Sequence, residues 1–139
     1  MADLIFTSFK DGLGRSSFNL SADTLKCALL TSAYAPSANH AVLADVVAAE
    51  AAGTGYTPGG QALTGVTWSV AAGKAALHAA DPAWTTVTVT ARYALIYAVK
   101  TVAGLTNPLL CLLDFGTDRG VIGGTFTVRF DALGVLTLE

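Results

Sequence analysis

The run Thr85–Val99, TTVTVTARYALIYAV, alternates along its whole length. Val87, Val89, Ala91, Tyr93, Leu95, Tyr97 and Val99 fall on one face. A period of two is the pleat of a β-strand, not the winding of a helix. The other face carries Thr86, Thr88, Thr90 and Arg92, then turns apolar at Ala94, Ile96 and Ala98. One end of this strand is expected to be half-exposed and the other covered on both sides. It is long for a single strand, which predicts a bend or a bulge.

The rest of the chain follows the same grammar. Apolar alternations are broken about every ten residues by Gly, Pro, Asn, Asp and Thr. Thr24–Ser32 places Leu25, Cys27 and Leu29 on one face. Ala62–Val70 and Lys74–Ala80 flank Ala71-Ala72-Gly73 and predict a hairpin. Pro108–Phe115 is an apolar strand expected to be buried on both faces. Gly116–Gly124 is expected to be a Gly/Asp-rich connection. Thr125–Asp131 alternates with Phe126, Val128 and Phe130 inward, and Val135–Leu138 closes the chain. One helix is expected, Ala41–Ala52, with Val42, Leu43, Val46 and Val47 facing a sheet and Gly53 as its stop. The fold class is all-β: a single antiparallel β-sandwich domain over residues 1–139, of jelly-roll type, with one short helix. Leu25, Cys27, Leu29, Val66, Trp68, Tyr93, Leu95, Phe126, Val128 and Phe130 are expected to point inward.

Composition matters because it conflicts with a freely diffusing monomer. The chain is 53% hydrophobic and 13% charged, with mean hydropathy +0.54. No run approaches the roughly 18–20 apolar residues that cross a bilayer. Nor does Leu4–Phe6 have the length or the basic flank of a signal segment, so synthesis and use in a cytoplasm are expected. A surface so poor in charge is best explained if other protein copies cover part of it. The net charge of −2 and the scattered Lys and Arg give no footprint for nucleic acid.

Catalytic constellations are not found. His40 and His78 sit in different elements, without ligand-spaced partners. Asp114, Asp118 and Asp131 lie near turns, where aspartate serves local hydrogen bonding more often than Ca²⁺ or acid–base chemistry. The serines have no nucleophile-elbow setting. Gly53–Gly60, GTGYTPGG, contains GxG, but follows a helix candidate, precedes a strand and has no Lys, so it is not a phosphate loop. Cys27 and Cys111 each lie inside an apolar strand and are expected to be reduced, buried thiols. No enzyme activity, cofactor or metal is expected. A carbohydrate-binding module would need Trp68 and Trp84 exposed as a platform.

The pieces ADTLKCALLTSAYAP, GTGYTPGGQAL and TARYALIY stand in an order, from Thr7 to Leu138, that resembles a family of small virion structural proteins of tailed bacteriophages. The resemblance implies a part of the phage particle and no catalytic residues. At this size it implies a capsid cement, or decoration, protein, a class that includes jelly rolls. Its partners would be the major capsid protein and further copies of itself, as a dimer or trimer. Its place would be the virion capsid, assembled in the bacterial host cytoplasm. A minor tail, baseplate or head–tail connector component is the alternative. The expected contact segments are Gly-rich, so their backbones can lie close against a partner. They are Gly53, Thr54, Gly55, Tyr56, Gly59 and Gly60 in one loop, and Gly116, Asp118, Arg119 and Gly120 in the other. The terminal segments Met1–Lys10 and Val135–Glu139 could add strands to a neighbour.

Overall fold

The computed structural model describes residues 3–138. Among them Leu4–Ile5 forms β1, Thr7–Gly14 α1, Leu25–Leu30 β2, Gln61–Ala62 β3, Thr67–Ala71 β4 and Lys74–His78 β5. Ala83–Ala98 forms β6, Thr101–Val102 β7, Leu105–Thr106 β8, Leu109–Thr127 β9 and Leu136–Leu138 β10. The large sheet has the order β1-β9-β6-β2-β3, the small one β10-β5-β4, and β7-β8 is a separate hairpin. Every pairing is antiparallel. The fold is all-β with one short helix. The strand order does not establish a jelly roll.

β6 and β9 are the spine. Their ladder runs from Ala83↔Thr127 to Tyr97↔Leu109. At the Tyr93–Ala98 end both faces are covered. Ala94, Ile96 and Ala98 join Leu25, Cys27 and Leu29 in the main core, with Leu77 and Leu136 of the small sheet. Tyr93, Leu95 and Tyr97 join Phe6, Leu30, Tyr34, Val46 and Leu109 in a second core on the other face. Leu109–Leu113 is buried throughout, as its unbroken apolar run requires. At the Ala83–Ala91 end one face is covered: Trp84, Val87, Val89 and Ala91 are buried, while Thr85, Thr86, Thr88 and Thr90 face solvent.

Two expectations about this ribbon are corrected. Alternation was expected to carry one face from Val87 to Val99, but Val87, Val89 and Ala91 line the main core, whereas Tyr93, Leu95 and Tyr97 line the second. The cause is an irregularity of the kind its length predicts. The register slips between Ala91↔Arg119 and Tyr93↔Asp114, and the slip turns the following side chains over. Gly116–Gly124 is not a connection. It lies within β9, whose glycines take the bends that the register shifts demand, with Gly116 at φ +82° and Gly123 at +61°.

The helix is also misplaced. Ala41–Ala52 forms two 3₁₀ turns, Leu43–Asp45 and Val47–Ala49. Its backbone groups are taken elsewhere. Asp45 accepts the N–H groups of Ala41 and Val42, Leu109 N–H takes the Ala41 carbonyl that a helix would use, and Ala51 N–H donates to Leu29. Such side-chain and sheet bonds outcompete a short, β-branched helix. Val46 is buried and Leu43 half-buried, but Val47 is exposed. The helix is instead α1, which buries Phe9 in the main core. Its Gly12 packs so close to the Phe18 ring that a Cβ would lie 2.5 Å from it. Most of Met1–Lys10 is β1 and helix; Met1, Ala2 and Glu139 lie outside the described residues. The other inward expectations hold in part. Leu25, Cys27, Leu29, Tyr93, Leu95, Phe126 and Val128 are buried, whereas Val66, Trp68 and Phe130 are half-buried against the core.

Candidate partner-contact surface

The two Gly-rich segments meet at the Thr-lined end of the β6–β9 ribbon, one on each side of β6. Residues 53–55 run along the β6 edge. Thr88 N–H donates to Thr54 O at 2.9 Å. A Cβ at Gly53 would stand 1.8 Å from Thr88 O, and one at Gly55 2.7 Å from Thr86 O. Glycine is required there because backbone lies against backbone. On the other side Gly120 packs against the Thr90 hydroxyl, and Gly123 N–H donates to Thr88 Oγ1 at 3.0 Å. Thr31, Gly53, Thr54, Thr88, Thr90 and Ile122 border one open groove. It carries no ionisable side chain. Ile122 is 91% exposed beside it.

The expected contact residues therefore divide. Gly53, Thr54, Gly55 and Gly120 are exposed at the groove, and Gly116, Asp118 and Arg119 are exposed further along β9. Tyr56 and Gly60 are inside the fold, a correction to their expected role at the surface. The Tyr56 ring packs against Trp84, and its hydroxyl accepts Leu29 N–H at 3.0 Å and donates to Glu50 Oε2 at 2.7 Å. Burial pushes the Tyr56 hydroxyl's pKa well up. Glu50 Oε2 also accepts Gly59 N–H at 2.7 Å, and Tyr97 OH donates to Gly59 O at 2.6 Å. Burial, then the Glu50 charge, pushes Tyr97 up to about 12. A Cβ at Gly60 would meet Cys27 O at 1.8 Å. This half of the loop is a clamp that holds the exposed half in place. Ile122 was not singled out in the sequence, although it is the largest apolar residue among the glycines of that run.

Asp114, Asp131 and His40 are engaged locally. Gly116 N–H donates to Asp114 Oδ1 at 2.8 Å, and Arg92 Nε to the same oxygen at 3.2 Å. These bonds, the first above all, hold the Asp114 carboxyl below its ordinary range. Asp131 Oδ1 accepts Leu133 N–H. His40 Nδ1 lies 2.8 Å from the Tyr34 hydroxyl. Among the described residues no group of three His, Cys, Asp or Glu side chains could hold a metal ion. Trp84 is buried and Trp68 half-buried. Among the described residues no helix is long and apolar enough to cross a membrane. Comparison of the chain with protein-family models, curated proteins and solved structures finds no match.

Proposed function

We propose that this chain is a bacteriophage virion structural protein, a capsid cement protein that binds the major capsid protein and stabilises the head. The observation that carries the reading is the uncharged groove between residues 53–54 and 120–122, with Ile122 standing almost fully exposed at its rim. Its threonine hydroxyls and close-packed glycine backbone offer hydrogen-bonding groups at low desolvation cost, and Ile122 offers an apolar anchor. The clamp made by Glu50, Tyr56 and Tyr97 holds the loop in one shape before binding, which lowers the ordering cost. Many copies on a shell turn a modest contact into a large total effect.

The test is cosedimentation with assembled shells of the major capsid protein. The chain is expected to pellet with shells, and Ile122→Asp to weaken that binding about tenfold or more, since a charge would be buried at the contact. Equal binding by the variant would remove the groove from the reading. Absence of binding to shells, with binding to purified tails, would move the protein to a minor tail or connector role.

A further inference from the structure

We infer that β4 is a self-pairing edge, through which two copies of the chain join their small sheets across a two-fold axis at Ser69. β4 is the end strand of the order β10-β5-β4, and among the described residues none pairs with its far side. Its ladder with β5 is unbroken from Thr67↔His78 to Ala71↔Lys74. Its five residues, Thr67, Trp68, Ser69, Val70 and Ala71, include no charge, no proline and no bulge. Those are the devices that protect an exposed edge. The open edge of β9, by contrast, has Asp118, Arg119 and irregular register.

The phase of the hydrogen bonds fixes the register in which a second copy seats. Ala72 and Gly73, at φ +52° and +78°, make a two-residue turn with both φ positive, which closes on a hydrogen-bonded Ala71–Lys74 pair. Bonding pairs alternate, so Ser69 and Thr67 also bond to β5, and Trp68 and Val70 turn their N–H and C=O groups outward. In antiparallel self-pairing about Ser69, Trp68 of one copy faces Val70 of the other, twice. That register uses all four outward groups of each copy, in four interchain hydrogen bonds. The side chains agree. Trp68 pairs with buried Leu77, so Trp68 and Val70 point to the core side of the small sheet. Yet Val70 is 71% exposed and Trp68 only half-buried. The core stops short of β4, and the second copy supplies the missing cover as two aromatic–β-branched cross-strand pairs. No like charges meet in this register.

This contact specifies the self-association in the capsid reading, but it is tested on the isolated chain. Sedimentation equilibrium is expected to show a monomer–dimer equilibrium. Val70→Lys and Val70→Pro should each weaken it about tenfold or more, the first by charging the edge, the second by removing one interchain donor per copy. Val70 is exposed and its N–H points away from β5, so both variants keep the fold. Ser69→Cys should cross-link two chains on mild oxidation, because residues facing each other at a non-bonded pair stand about 4.5 Å apart. Thr67→Cys and Ala71→Cys face each other's positions rather than their own and should not. A chain that stays monomeric, a dimer that ignores both Val70 variants, or cross-linking that does not prefer Ser69→Cys overturns the inference. Loss of shell binding by an intact dimer would overturn the capsid reading alone.

Discussion

Cys27 and Cys111 stand on opposite sides of Ile96, each paired with it across one ladder of the large sheet. Two ladder spacings put their Cα atoms about 10 Å apart, beyond the reach of a disulfide. Both thiols are buried, and burial pushes Cys111 up to about 12 and raises Cys27 as well. Neither should react with a thiol reagent in the native protein at neutral pH, and both should react on unfolding. Rapid labelling of either without unfolding would contradict this arrangement.

These same groups give stability an alkaline limit. Cys27, Cys111, Tyr56 and Tyr97 all have folded pKa values above their ordinary 9.0 and 10.0. Raised folded values mean that the native state keeps protons the unfolded chain has lost. Their stabilising contribution is whole below about pH 9 and falls progressively as pH rises towards 12. Denaturant midpoints measured from pH 8 to 11 should decline above about 9; a flat profile would show that the groups are not buried as described.

Removing the Tyr56 hydroxyl should loosen the loop clamp. Tyr56→Phe keeps the ring on Trp84 but leaves Leu29 N–H and Glu50 without this partner. A loss of about 2 kcal/mol is expected in denaturant unfolding, with faster amide exchange at Gly59. Exchange unchanged at Gly59 would separate the loop from the clamp.

Glycine substitutions should divide by what a Cβ would meet. Gly53→Ala forces a methyl group onto Thr88 O and should cost about 1–3 kcal/mol. Gly14, at the end of α1, has nothing within 4 Å, so Gly14→Ala should be neutral or slightly stabilising. Comparable losses at both positions would contradict the close approach at residue 53.

What was legible in the sequence was periodicity. The strands at Leu25–Leu30, Lys74–His78 and Ala83–Ala98 announce themselves through alternation, and Ala72-Gly73 through turn chemistry. The misplaced helix was not legible, because its residues are chosen by distant partners: Leu109 N–H takes the Ala41 carbonyl and Leu29 takes the Ala51 N–H, both of which a helix at Ala41–Ala52 would need. α1 had a signal in Phe6, Phe9 and Leu13, obscured by Gly12 and Gly14, and Gly12 is there for the Phe18 ring. For the candidate surface, glycine content located the two segments but not their orientation. Only the fold shows that Tyr56 and Gly60 turn inward while Ile122 turns out.

The most direct measurement is the stability and composition of phage heads made with and without this protein. The cement reading predicts that heads lacking it rupture at lower temperature or lose packaged DNA. It also predicts that a reconstruction of complete heads shows many copies on the outer shell, with the residue 53–54 and 120–122 groove against the major capsid protein. Equally stable heads, with the protein absent from the shell, would contradict it.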